Sequence, residues 1–228
     1  MKTSDIKTQD LVDIATAIKT IKENSKNKQR KFVETVDLVF NLNIYAKQSN
    51  QNIRGSVALP AGTGRDVRII VFTDVEAQQK DAIKAGAVKA GLEELMTEIE
   101  SGFMDFDYCI ATPDAMKKIS RIARRLGPKG LMPNPKNGNI TDDVVGAINA
   151  AKKGKINFKN DRYGIVHTMV GKVNFSDEDL MTNIKAVVSA IKEAKPEVVK
   201  NRYIKSVFLT TTMGPSVAVN IEKTNGGE

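Results

Sequence analysis

From Phe32 onward the chain alternates. Phe32, Glu34, Val36, Leu38 and Phe40 fall on one side of an extended segment, and Val33, Thr35, Asp37, Val39 and Asn41 on the other. A period of two is strand geometry, and the first set is mostly apolar, so the pattern predicts a strand with one face in a core. Upstream, Leu11, Ile14, Ala15, Ile18 and Ile21 recur at helical spacing and predict a helix over Thr8–Glu23, with a polar, basic turn over Asn24–Arg30. Arg54–Leu59 predicts a second strand, stopped by Pro60, Gly62 and Gly64.

The texture changes at Val67. Val67–Phe72 and Tyr108–Ala111 are short apolar runs, the habit of strands covered on both faces. Helical patterns separate them: one over Glu76–Ala85 and another marked by Leu92, Leu95, Met96 and Ile99. Thr112-Pro113 predicts an N-cap and first helical residue, followed by the stripe Ile119, Ile122, Ala123 and Leu126. Thr141-Asp-Asp opens a further helix with Val144, Val145 and Ile148 inward. Strands alternating with helices imply a parallel α/β layer.

Beyond Lys155 the strand habit returns. Ile156–Phe158 and Tyr163–His167 flank Lys159–Arg162, which reads as a hairpin turn. Ser176 caps a helix whose first turn is Asp177-Glu178-Asp179 and whose inward residues are Leu180, Ile184, Val187, Val188 and Ile191. Tyr203–Thr211 and Val217–Ile221 are the last strands, with Gly214-Pro215 between them. An α/β segment thus lies between two stretches of antiparallel habit. The economical arrangement is a discontinuous domain built from both chain ends with a second domain inserted.

Composition narrows the chemistry. The 228 residues, 41% of them hydrophobic, suffice for one large core or two small ones. The net charge of +8 and pI of about 9.4 favour nucleic acid or an anionic membrane as partner. The chain has no apolar run of about 18 residues, so no membrane partner is expected, and Met1–Gln9 lacks a signal-peptide core. The single cysteine, Cys109, lies in an apolar strand and is expected to be a buried thiol in a reducing cytosol. One histidine and one cysteine, far apart, offer no metal-ligand spacing, so neither metal nor cofactor is expected. Tryptophan is absent and aromatics total 5%, which disfavours a single-strand binder built on an aromatic stacking platform.

Charge is unevenly spread. Between Ala115 and Thr141 there is no Asp or Glu, while Lys117, Lys118, Arg121, Arg124, Arg125, Lys129 and Lys136 fall in that stretch. Its second half, L-G-P-K-G-L-M-P-N-P-K-N-G over Leu126–Gly138, is too rich in proline and glycine for a regular helix or strand. The basic face is either a solvated helix surface or a contact for a polyanion, working through phosphates and carrying little sequence information. Gly62-Thr-Gly64 precedes a strand, whereas a dinucleotide fingerprint must follow one, so it reads as a tight turn. His167 has no nucleophile pattern around it and reads as a hydrogen-bonding group. Thr210–Ser216 offers hydroxyls and backbone N–H groups at a strand-to-strand turn; it is either a plain hairpin turn or a reader of ribose 2′-OH and base edges.

The Leu126–Gly138 loop closely resembles the signature of the first large-subunit ribosomal protein family, the protein of the mobile stalk beside the tRNA exit site. S-N-Q-N-I-R-G-S-V at Ser49–Val57, F-K-N-D-R-Y-G-I-V-H at Phe158–His167 and T-T-T-M-G-P-S at Thr210–Ser216 resemble it too, and the likeness runs from Lys31 to Val219. The resemblance implies a two-domain protein of α/β and α+β class. Residues 1–66 with 159–228 would form a discontinuous α+β domain with a mainly antiparallel sheet, and 67–158 an inserted Rossmann-like α/β domain, hinged near Asp66 and Lys159. It implies a non-enzymatic, cytoplasmic protein of the ribosome, monomeric when free, that binds large-subunit rRNA, assists release of deacylated tRNA and represses translation of its own mRNA. The rRNA contacts it implies are Lys31, Phe32, Glu34, Thr35, Lys159, Asp161, Gly164, His167, Lys172, Ser206, Thr212, Met213 and Gly214. Phe32 and Met213 would supply apolar contact, Gly214 close backbone approach, and Glu34 an acceptor for a hydroxyl or base N–H. Lys117, Arg121, Arg124, Arg125, Lys129 and Lys136 are the expected tRNA or phosphate contacts. The chain departs from the family pattern at Ala46–Asn50, Ala61 and Tyr163, so Asn50 and Tyr163 are left out of the rRNA set. The rival reading is an α/β enzyme holding a phosphorylated ligand near Gly127–Gly130, although no acid, base or nucleophile constellation accompanies it.

Overall fold

A computed structural model describes residues 11–221 apart from 29, 200 and 201, and leaves the side chains of Ser49 and Lys136 undescribed. The chain mixes helix with antiparallel and parallel sheet and divides into two compact units. One contains the residues up to Gly64 and those from Ile156 onward; the other is Arg65–Lys155.

The first unit is organised around strand β1 (Thr35–Leu42). Its neighbours come from the far end of the chain: β7 (Ile165–Lys172) on one side, β8 (Ile204–Thr211) on the other, with β9 (Val217–Val219) beyond, all antiparallel. Val36, Leu38, Phe40 and Leu42 are buried with Val166, Val170, Val207 and Leu209 beneath helices α1 (Ile14–Asn27) and α7 (Asp177–Glu193). The opposite parity, Thr35, Asp37, Val39 and Asn41, stands on the other face with His167, Met169, Ser206, Phe208 and Thr210, none of them buried. The alternation predicted from sequence starts later than expected. Phe32 lies outside the strand and is exposed, because pairing with β7 and β8 begins at Thr35 and Val36.

The register of β1 against β7 slips between Val36 and Asp37: Val36 opposes Gly171 and Asp37 opposes Met169. Val170 is left over as the extra residue of a bulge, and both Val170 and Gly171 are buried. A one-residue slip exchanges faces. Lys172, which strict alternation would place beside Val170 in the core, instead opposes Thr35 and donates to its Oγ1 at 2.8 Å.

Helix α1 departs from expectation at both ends. Thr8–Asp10 lie outside the described residues, and the helix starts at Ile14 because Val12 is held extended: its N–H donates to Ala218 O and its carbonyl accepts from Asn220 N, each at 3.0 Å. It continues past Glu23 to Asn27, since Asn24–Asn27 contains no glycine or proline to stop it. Lys22 ties it to α7 through Asp177 Oδ1 at 2.5 Å. The predicted cap of α7 is present, with Ser176 Oγ accepting from Asp179 N at 3.0 Å, and its five predicted inward residues are buried. The turn after Lys159 is also present, but the flanking strands do not form one ladder. β6 (Lys155–Lys159) joins β2 (Arg54–Ala58) in a separate two-stranded sheet, and only Asn160 bridges to Val166.

The second unit holds a parallel sheet in the order β4 (Lys89–Gly91), β3 (Ile69–Phe72), β5 (Tyr108–Ala111). Ile70, Phe72, Cys109 and Ala111 pack on one side against α3 (Glu93–Ser101) and α4 (Pro113–Ile119). Ile69, Val71, Tyr108 and Ile110 pack on the other against α2 (Glu76–Lys84) and α6 (Val144–Lys152). Strand β4 has no sequence signature; Lys-Ala-Gly becomes a strand only by pairing with β3. The predicted helix after Thr112 breaks into α4, a 3-10 turn at Ser120–Ile122 and α5 (Ala123–Leu126). Thr112 is its N-cap residue, but its side chain makes no capping bond. Val145, predicted inward, is 39% exposed: Val144 and Ile148, four apart, take the sheet side of α6, and Val145 is turned about 100° away. Burial pushes the Cys109 thiol well above its ordinary pKa. Thiol reagents should therefore leave native protein unmodified at pH 8 and label it stoichiometrically in denaturant, which mass spectrometry would read directly.

Candidate nucleic-acid interface

Three of the predicted contacts, drawn from opposite ends of the chain, are bonded to one another. Thr35 N–H donates to Thr212 Oγ1 at 3.0 Å, Thr212 N–H donates to Thr35 O at 3.1 Å, and Lys172 Nζ donates to Thr35 Oγ1 at 2.8 Å. They meet at one end of the sheet because β1 is threaded between β7 and β8. Met213, 59% exposed, and Gly214 follow directly. Gly214 packs over Thr211: a Cβ there would sit 2.2 Å from Thr211 Oγ1. The close approach that excludes a side chain at Gly214 is thus internal to the turn.

Behind this end lies a cavity of about 230 Å³ lined by Asn24, Arg30, Glu34, Met213 and Gly214 among others. Glu34 is buried, with Arg30 Nε 3.8 Å from its Oε1, and its Oε2 has no hydrogen-bond partner in the structure. A buried carboxylate oxygen without a donor is costly, and an N–H or O–H entering the cavity would relieve that cost. Lys31 and Phe32 are exposed beside it in sequence.

The remaining predicted contacts are strung along β1. His167 opposes Val39, and Ser206 opposes Asn41 toward the far end of the strand, on the face that Thr35 shares. Asp37 stands on the same face and was missed by sequence reading, although its parity matches that of Thr35. Burial raises the pKa of its carboxyl group, against the opposing influence of His167 and Lys172. Lys159, Asp161 and Gly164 lie at the far end. Asp161 acts within the turn: its Oδ1 accepts from Tyr163 N and Ile165 N, both at 2.8 Å. Gly164 has φ +80°, and a Cβ there would meet Ile44 Cγ1 at 2.9 Å and the carbonyls of Leu42 and Ile44 at 3.3 Å, so only glycine fits.

The basic set of the second unit is partly neutralised. Lys117 lies 3.9 Å from Asp114, and Lys118 pairs with Asp74 at 3.2 Å. Arg125 Nη1 donates to Ile99 O at 3.2 Å. Arg121, Arg124 and Lys129 are exposed, and the side chain of Lys136 lies outside the described residues. Among the described residues there is no cluster of His, Cys, Asp and Glu able to hold a metal ion, and no helix long and apolar enough to cross a membrane.

Comparison with known proteins converges on one family. Residues 14–215 match the profile of the "Ribosomal protein L1p/L10e family". The chain is 48% identical over 208 residues to "Large ribosomal subunit protein uL1" of Shewanella denitrificans, covering 91% of this chain and 88% of that one. It is 46% identical over 210 residues to the protein of that name from Shewanella frigidimarina, covering 92% and 88%. The identity is 46% over 208 residues, covering 91% and 88%, for that of Colwellia psychrerythraea. With identity at this level sustained along nearly the whole chain, the protein belongs to the ribosomal protein L1p/L10e family.

Proposed function

We propose that this protein is a non-enzymatic constituent of the large ribosomal subunit in the cytoplasm, anchored to rRNA by the unit that both chain ends build. Its relatives carry the name of a large-subunit protein, and its own surface suits RNA. The observation that carries the reading is the direct bonding of Thr35, Lys172 and Thr212 beside the buried Glu34 carboxylate, whose Oε2 has no hydrogen-bond partner. Hydroxyls and a lysine can take ribose and phosphate, while a carboxylate repels phosphate and accepts only from a hydroxyl or a base N–H. The site therefore selects a folded RNA shape over bulk polyanion.

Residues 67–158 are the part that moves with the stalk as deacylated tRNA leaves, with Arg121, Arg124 and Lys129 its transient phosphate contacts. The free protein is a monomer and binds a similar fold on its own mRNA, blocking translation. Co-sedimentation with large subunits at moderate salt tests the anchoring, and filter binding to rRNA should weaken steeply as salt rises.

Thr212→Val combined with Met213→Ala should weaken rRNA binding by about 1–3 kcal/mol, the usual cost of lost specific contacts. Thr212 Oγ1 also receives the Thr35 N–H, so stability should fall, by less than about 1 kcal/mol for an exposed bond that water can replace. Affinity unchanged in that pair would place the contact elsewhere.

A further inference from the structure

Aromatic residues make up only 5% of the chain, and large ones are usually buried. Yet Phe32, Tyr45 and Tyr163 are 53%, 72% and 67% exposed, and all three belong to the unit built from both chain ends. Phe32 is near the Thr212 end of β1. The tyrosines are near the other end, where Leu42 N–H donates to Gly164 O at 3.0 Å and Gly164 packs against Ile44. Eight strand residues separate the two ends by about 26 Å.

The surroundings of the tyrosines are basic. The Arg162 guanidinium lies over the Tyr163 ring, 4.7 Å from its centroid. Lys47, Arg54, Lys159 and Arg162 are exposed, and no acid occurs between Asp37 and Asp66. The nearby acid, Asp161, has one oxygen engaged by two backbone N–H groups.

We propose that Tyr163 and Tyr45, with Arg162, form a stacking platform for an unpaired RNA nucleobase at the end of β1 remote from Thr212. The proposal rests on the RNA-binding reading and extends it to residues outside the expected rRNA contacts, as one local platform where aromatic content alone disfavours a stacking binder. Every base presents a π face that an exposed ring accepts without reading sequence, and a guanidinium on the ring supplies charge for the adjoining phosphate. One end of the sheet reads hydroxyls and N–H groups; the other holds a splayed base.

The chain has no tryptophan and four tyrosines, of which Tyr108 and Tyr203 are buried, so a base stacking from solvent can reach, and directly quench, only the other two. Titrating the full chain with a single-stranded oligoadenylate at low salt should quench that emission. Tyr163→Leu should weaken oligoadenylate binding about tenfold, while Tyr163→Phe, which keeps the ring, should stay within about twofold. Unchanged affinity in Tyr163→Leu overturns the platform. Equal weakening by the phenylalanine variant would make the hydroxyl the contact and also overturns it. Binding without quenching would leave the tyrosines to a protein neighbour and overturns the platform as well. If wild-type protein co-sediments with large subunits while any of these results holds, only the platform falls; failure to co-sediment removes the RNA reading itself.

Discussion

Phe40→Ala is expected to cost about 3–5 kcal/mol of folding stability, the range for emptying a buried aromatic site. Phe40 is fully buried at the middle of the strand that joins the two chain ends, opposite Val166 on one neighbour and Val207 on the other. None of these neighbours can collapse into the vacated space without shifting a ladder. With typical domains only about 5–15 kcal/mol stable, the loss is a large fraction of the total. Urea unfolding followed by circular dichroism should show a lower midpoint with an unchanged slope. An unshifted midpoint would mean that β1 is not the spine of the unit. RNA affinity per folded molecule should survive, because Phe40 faces away from Asp37, Val39 and Asn41.

Asn183→Ala should cost about 3 kcal/mol for a different reason. Asn183 is wholly buried on α7, and its carboxamide satisfies three backbone groups. Its Oδ1 accepts from Ala61 N at 3.0 Å, and its Nδ2 donates to Gly62 O at 3.1 Å and Val170 O at 2.8 Å. Each buried group left unpaired costs about 1–3 kcal/mol, partly relieved where water enters. Asn183→Asp should also destabilise, since a carboxylate keeps the bond from Ala61 but turns a lone pair on both carbonyls. A thermal melt that left either variant at the wild-type midpoint would remove Asn183 from the framework.

Much of the first unit can be read from its residues, because parity along Val36–Leu42 and the 3.6-residue stripe of α7 are local properties. The parts that escape are those decided by a partner. Helix α1 begins where Val12 pairs with Ala218 and Asn220, more than 200 residues downstream. Strand β4 exists only beside β3. Asn183 reads as an ordinary polar interruption of a helix until its three partners are placed around it.

The candidate site divides in the same way. Its chemistry is visible in Thr-Thr-Thr-Met-Gly and in Lys-Asn-Asp-Arg. Sequence does not tell which of these groups the fold has already engaged: Thr212 by Thr35, Asp161 by its own turn, Arg125 by Ile99. Nor does it show that Lys172 reaches the open face, since that depends on a bulge defined by two strands together.

The threading of β1 also governs timing during synthesis. A strand at residues 35–42 cannot find its flanks until 165–172 and 204–211 have been translated. A nascent chain therefore cannot close the sheet of its first unit, or bring Thr35, Lys172 and Thr212 together, until residue 212 has left the ribosome. Until residues 165–172 emerge, residues 35–42 are a strand with neither flank, kept from its register by more than 120 residues of chain still to come.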